Sequence, residues 1–583
     1  MALSSGWGFR ADPEDVGLAQ GWGRGAAPKA GWTAVYIPND FNPVPTAVGD
    51  TAKVGWYRVR FQAPSVASGR GWAVAFESVR RNAEVWLNGH PIGANHDPYV
   101  PFTLPATNLI PGRINTLVVR VDDARGVGSF PEDWWNWGGI MGPVALQPTG
   151  RIVVQDLGVT PELSCSYHCG DLRVQGSFMN RWGTALTPSV VVRVTSPSGG
   201  VATLTHRLAA VKSGAGARAS FRVKVPTPIA LWSPSTPALY RVRVQTLVGD
   251  RVEAVQTMSV GMRSVRVAGG ILYLNGQRLW LHGAAIHEDV DGRGAALGDG
   301  DVETIVSELR SLGANITRAH YLLSPRLLDA LDAAGIMVWA QPPVDHADGM
   351  LATSGGRARA LAMLRSTLVA DRNHPSVIID SVGNELSPTP DTTPGTRRYI
   401  DQAIATARQL NPGVPVALDV YPYPNYPRQT TYSQLDLIGI SSYFGWYPGP
   451  AGHSIADFAQ LQPYLQLQHR RYPKQALAIS EFGAESLFDG PAATRGSYEF
   501  QSAYLRSTFG VLDRLPFMNG AIYWTLREFA VSPGWTGGVT LPAGDSPDNI
   551  HHKGLIAYNG TAKQAFAVAQ QLFGTTPSYV HQH

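Results

Sequence analysis

From about Arg263 onward, short apolar runs alternate with longer stretches whose apolar positions recur at helical spacing. The runs centre on Trp280–Ala284, Asn315–Ala319, Ile336–Ala340, Val377–Val382, Pro415–Val420, Leu435–Ser441, Ala476–Ser480 and Gly520–Trp524. A near-continuous apolar run predicts a strand buried on both faces, as in parallel sheets covered by helices. Between the runs, Asp301–Leu312 and Pro325–Ala334 read as helices, with Gly313 and Gly335 placed as stops. Eight such βα units in roughly 320 residues predict a (β/α)8 TIM barrel, in which functional groups gather at the C-terminal strand ends.

Upstream the period changes to two. Residues 1 to about 150 carry alternating strands at Gly55–Phe61, Ala73–Phe76, Ala83–Leu87 and Asn115–Val121, with turns at Asn88-Gly89 and Pro111-Gly112. Many short strands punctuated by glycine and proline predict a jelly-roll β-sandwich. A second all-β stretch runs to about Val260 and includes Ser189–Thr195, Phe221–Val225 and Leu239–Thr246. Its length suits an immunoglobulin-like sandwich. The expected organisation is therefore multidomain: a jelly roll over 1–150, an immunoglobulin-like β-sandwich over 151–260 and the barrel over 261–583. The joints fall at Pro148-Thr149-Gly150 and Gly261-Met262-Arg263.

Composition narrows the class. A chain of 583 residues with 16% charged residues reads as an ordinary globular protein of several domains. No apolar run approaches the ~18–20 residues of a membrane span, which argues against a membrane partner. The net charge of +4 is spread without a basic cluster, which argues against nucleic acid. Only seven of the 48 basic residues are lysine, so a lysine in a site loop stands out. Cys165 and Cys169 flank His168, and a local disulfide or two free thiols are favoured over a metal site because no second ligand pair follows. Met1-Ala2-Leu3-Ser4 begins neither a basic nor an apolar leader segment, and localisation is left open. No metal or cofactor is expected. A homo-oligomer is left open.

The chemistry lies at two strand ends. The run through Val377–Val382 ends in Gly383-Asn384-Glu385, and the run Ala476–Ser480 ends in Glu481. On the count above these close strands four and seven. A retaining glycosidase needs one carboxylic acid to protonate the leaving oxygen and one carboxylate as nucleophile, held about 5–5.5 Å apart. A lone strand-end glutamate is ordinarily a loop carboxylate; the pairing is what points to chemistry.

The order of elements and a series of motifs resemble glycoside hydrolase family 2. They include Ala83-Glu84-Val85-Trp86-Leu87-Asn88-Gly89, Trp134-Trp135-Asn136-Trp137-Gly138-Gly139, Leu231-Trp232-Ser233-Pro234, His287-Glu288-Asp289 and Gly313-Ala314-Asn315 with Arg318. Within the family, Ser441-Ser442-Tyr443-Phe444-Gly445-Trp446-Tyr447 and Ser480-Glu481-Phe482-Gly483 are most similar to the β-glucuronidase branch. The resemblance implies a retaining exo-β-glycosidase acting on terminal β-D-glucuronides by a two-glutamate double displacement, with a small-molecule or oligosaccharide β-glycoside as partner. Glu385 is then the acid/base and Glu481 the nucleophile. Asn384 and Tyr443 support them, Trp524 floors the sugar, and His287 and Asp289 contact the glycone. Lys553, with His551, Tyr447 and Arg527, is expected around a C5 carboxylate.

Three positions depart from the family pattern. His551 stands where the carboxylate clamp has asparagine, Ser441 replaces an asparagine in the strand-six loop, and Gln341 replaces a glutamate after strand three. The segment from Gln341 to Val377 is also short, which suggests an open aglycone side. A β-galactosidase or β-galacturonidase of the same family is the alternative within the class, and a non-catalytic carbohydrate-binding protein the alternative outside it. A His551 clamp would be expected to lose affinity for a uronide as pH rises from 6 to 8.

Overall fold

The computed structural model describes residues 1–45, 53–65, 70–124, 131–533, 535 and 548–579. Its N-terminal part is a sandwich. A six-stranded antiparallel sheet runs in the order Thr33–Val35, Trp7–Ala11, Val54–Gln62, Ile114–Asp122, Asn82–Leu87, His90–Asn95. Val59, Val85 and Val119 from this sheet share a core with Val74, Phe76 and Leu146 from the sheet built of Val144–Thr149, Gly71–Phe76 and Phe102–Pro105. Asn88 (φ 51°) and Gly89 (φ 82°) both take the left-handed conformation. A two-residue hairpin of right-handed twist needs this of them, and it sets the pairing of Asn82–Leu87 with His90–Asn95.

The next sandwich has seven strands: Ile152–Ser164, Cys169–Asn180 and Gly216–Lys224 in one sheet, and Val201–Arg207, Pro188–Thr195, Tyr240–Val248 and Arg251–Val260 in the other. Its core includes Val159, Val174, Val192, Tyr240 and Val242. Cys165 and Cys169 are joined as a disulfide across the turn of the first hairpin. Trp232 Nε1 donates to the Asp332 carbonyl at 2.9 Å, and Arg263 donates to the carbonyls of Pro375 and Val377, which anchors this sandwich against the barrel.

The barrel closes with eight parallel strands. They are β1 (Leu281–Ala284), β2 (Ile316–Arg318), β3 (Met337–Ala340), β4 (Val377–Asn384), β5 (Val416–Val420), β6 (Leu437–Ser441), β7 (Ala476–Phe482) and β8 (Met518–Tyr523). All their residues are buried, as the apolar runs require. The helix Pro325–Ala334 and the helix Asp299–Leu312 both end on left-handed glycines, Gly335 and Gly313. Among the described residues no helix is long and apolar enough to cross a membrane.

The first sandwich also reaches over the mouth of the barrel. Trp135 N donates to the Ala530 carbonyl, and Ser532 N to the Asp133 carbonyl. The Trp134 ring stacks on His320 at 5.8 Å, and Tyr99 stacks on Tyr321 at 4.5 Å. These contacts bring residues 133–135 to the C-terminal strand ends, where a site on this fold would be.

Candidate active site

A cleft of about 380 Å³ opens at the C-terminal end of the barrel, lined by Glu385, Glu481, Asn384, Tyr443, Tyr447, Trp524 and His551. Asp133, His320, Asp345, His346, Tyr421, Tyr423 and Trp535 complete much of its wall.

Glu481, the next-to-last residue of β7, sits among donors. Arg318 Nη1 donates to its Oε2 at 2.8 Å, and Tyr443 OH donates to its Oε1 at 2.5 Å. Arg318 is fully buried and divides its other donors among Asn384 Oδ1 at 2.7 Å and Gln341 Oε1 at 3.1 Å. Gln341 therefore accepts from Nη2 without adding a charge to the cluster. Asn384 is pinned from the other side, its Nδ2 donating to Asp345 Oδ1 at 2.8 Å. Fixed acceptors and donors of this kind orient a carboxylate before any ligand arrives.

Glu385 follows β4 with φ at +44°, a left-handed conformation that costs a side-chain-bearing residue free energy. Its amide still bonds the Asp419 carbonyl at 2.9 Å, so the strained residue is held by β5. Burial pushes the Glu385 carboxyl up to about 8; His346 opposes that rise, and the nearby Glu481 and Asp345 add to it. A carboxyl that keeps its proton near neutrality is suited to act as an acid. His346 lies with Nε2 3.4 Å from Glu385 Oε2; its side chain is 40% exposed, and against its partial desolvation the neighbouring Asp345 and Glu385 carboxyls raise it to about 9. Asp133 is raised to about 7, chiefly by burial and then by Asp345.

A cation lies behind the part of the wall formed by Tyr447 and His551. Lys553 is fully buried, and its Nζ donates to Tyr447 OH at 2.6 Å and lies 3.3 Å from His551 Nε2. The rings of Tyr447, Tyr443, Trp535 and Trp446 surround the ammonium at 4.8–5.7 Å. Among the described residues it forms no ion pair with a carboxylate. Burial lowers its pKa, and the carboxylates of Glu485 and Glu481 partly offset this. His551 is held well below the usual imidazole range by burial and then by the Lys553 charge. The expectation that His551 titrates between pH 6 and 8 is therefore corrected: the ring is neutral throughout that window.

Of the residues read from sequence, Glu385, Glu481, Asn384, Tyr443, Tyr447, Trp524 and His551 converge on the cleft, with Lys553 directly behind its wall. Three do not reach it. Arg527 is taken by Glu308 of the Asp299–Leu312 helix, its Nε donating at 2.6 Å. Asp289 accepts from Ala530 N at 2.9 Å and holds the chain after β8. His287 stacks on Phe529 at 4.0 Å, behind Trp524, and burial keeps it neutral. Sequence reasoning passed over Asp133, Asp345, His346 and Tyr421. Only Asp133 carried a signal, as the residue before the Trp134-Trp135 pair.

The chain is a glycoside hydrolase in its class, defined by the barrel, the two sandwiches and the matched families. Residues 152–263 match the model described as "Glycosyl hydrolases family 2", and residues 265–506 match that family's "TIM barrel domain"; together they span more than half the chain. The protein belongs to glycosyl hydrolase family 2. Among its relatives, a β-glucuronidase of Paenibacillus borealis is 25% identical over 92% of this chain and 91% of its own length. The β-glucuronidase of Canis lupus familiaris is 28% identical over 90% of this chain and 84% of its own. In fold it resembles a β-galacturonidase from Eisenbergiella tayi, with a TM-score of 0.82 at 21% identity over 100% of this chain and 98% of that one.

Proposed function

We propose that this β-glycosidase is a retaining exo-enzyme that removes terminal β-D-glucuronic acid by double displacement. The observation that carries the uronide reading is Lys553: a buried ammonium behind the cleft wall, bonded to Tyr447 and His551, with no carboxylate partner among the described residues. Buried charges ordinarily have partners. A substrate carboxylate provides one, and Tyr447 joins it as a further polar group. The β-glucuronidase relatives support the same reading.

In the first step Glu385 donates its proton to the glycosidic oxygen as the C1–O bond breaks, and Glu481 bonds to C1. In the second, Glu385 removes a proton from water, whose oxygen displaces Glu481. Arg318 and Tyr443 hold the Glu481 carboxylate in line, and Trp524 provides a flat apolar floor. A panel of chromogenic β-glycosides at one pH tests the glycone: the glucuronide is expected to exceed the galactoside and glucoside in kcat/KM. A preference for an uncharged galactoside would remove the uronide reading and leave the glycosidase class standing.

Asn384 is assigned to the sugar 2-hydroxyl, a contact that strengthens as the oxocarbenium-like transition state forms. Asn384→Ala is then expected to lower kcat as well as kcat/KM, and a change confined to KM contradicts the assignment.

The pH dependence follows from Glu385. Its raised pKa means the proton is present below about 8 and lost above it. Because the first step needs that proton, kcat/KM is expected to fall as pH rises through about 8. His551, neutral across pH 6–8, contributes no change in KM there; a steep rise in KM between 6 and 8 that His551→Gln removes would contradict this.

A further inference from the structure

We infer that His346 is a positioning residue for the acid/base: a cation that stabilises the Glu385 carboxylate as its proton leaves. This rests on the reading of Glu385 given above. The loop after β3 carries His346 to Glu385 by direct pairing with β4, since His346 N donates to the Asn384 carbonyl at 3.2 Å and Asp345 bridges to Asn384. His346 itself takes φ +44°, so backbone strain is accepted at both members of the pair. The ring is fixed at both nitrogens. Nε2 lies 3.4 Å from Glu385 Oε2 and 3.8 Å from Asp345 Oδ1, and Nδ1 lies 2.6 Å from Tyr421 OH.

The charges around the ring decide its state. Asp345 on its own loop and Glu481 on β7 favour imidazolium, and Glu385 after β4 joins them once its proton has left; Asp133 from the first sandwich, raised to about 7, adds only part of a charge near neutrality. His320, from the loop after β2, is kept neutral by burial and by Arg318, so it adds no opposing charge. Protonated His346 then faces Glu385 throughout turnover without giving up its own proton. When Glu385 passes its proton to the leaving oxygen, the new carboxylate forms beside a cation; when Glu385 takes a proton from water, that ion pair is dissolved again. The cation makes Glu385 a stronger acid than burial alone would leave it. Stronger acid assistance matters most for leaving groups that are poor without a proton.

The test uses His346→Asn, because asparagine tolerates the left-handed backbone. The pH profile of kcat/KM is measured on two substrates with one glycone, an activated aryl glycoside and an alkyl glycoside. Without the cation the basic limb is expected to move to higher pH by roughly one unit. Activity at pH 7 on the alkyl glycoside is expected to fall about tenfold, with much less change on the aryl glycoside. Tyr421→Phe, which frees the ring's other nitrogen, is expected to shift the limb in the same direction by less. An unmoved limb, or equal losses on both leaving groups, overturns the proposal. The failure of the underlying reading looks different: Glu385→Ala would then show no azide rescue, and its removal would leave the basic limb in place.

Discussion

Glu481→Ala is expected to lose turnover by about 10⁴-fold or more, the scale seen when a covalent nucleophile is removed from a set of groups acting together. The expectation rests on geometry. Glu481 is the carboxylate at which Arg318 and Tyr443 aim their donors, at 2.8 and 2.5 Å, and it lines the cleft with Glu385. The matched loss at Glu385 has a different signature. Glu385→Ala is expected to fall by about 10²- to 10⁴-fold on substrates with poor leaving groups, since that is the range of acid–base assistance. On an activated aryl glycoside the first step survives, and azide is expected to restore turnover by attacking the glycosyl-enzyme. Product analysis checks this: a β-glycosyl azide is expected from Glu385→Ala, and its absence would count against Glu385 as the acid/base.

The second large effect concerns Lys553. A hydrogen bond to a charged group contributes about 1.5–3 kcal/mol, or roughly one to two decades in kcat/KM. Lys553→Met, which keeps most of the apolar stem inside the ring of Tyr443, Trp446, Tyr447 and Trp535, is expected to lose that much on a glucuronide. On a galactoside or glucoside it is expected to lose far less, since those sugars have no charge to pair. The ratio of kcat/KM values for the charged and uncharged sugars reads this out. Equal losses on both would show that Lys553 supports the wall without contacting the glycone.

The barrel was legible because parallel strands covered on both sides are apolar at nearly every position. All eight runs read from sequence overlap β1 to β8, with ends differing by at most two residues. The sandwiches were harder to read where small residues fill the inward positions. The strand Gly216–Lys224 places Ala217, Ala219 and Phe221 on its partly buried face, so only its end at Phe221–Val225 was visible. At the site, Asn384, Glu385 and Glu481 were legible because barrel geometry delivers strand ends to one face. Tyr443 and Lys553 were found through motifs.

The unread part of the site comes from contacts that no local pattern encodes. Asp133 arrives from another sandwich, carried by the bonds of Trp135 and Ser532 across the barrel mouth. His346 and Tyr421 lie on loops after β3 and β5, and only their pairing with β4 and with each other places them beside Glu385. The opposite error has the same origin. Arg527 looked available in sequence, yet Glu308 lies far away in the chain and takes its guanidinium. A charged loop residue is assigned safely only once its competing partners are known.

The central claim is double displacement by Glu385 and Glu481, and the configuration of the first-formed sugar tests it most directly. Proton NMR of the anomeric region, recorded within the first minutes of hydrolysis of an aryl β-glycoside, is expected to show the β-anomer first, with the α-anomer growing only by mutarotation. Immediate appearance of the α-anomer would mean a single displacement by water and would contradict the account.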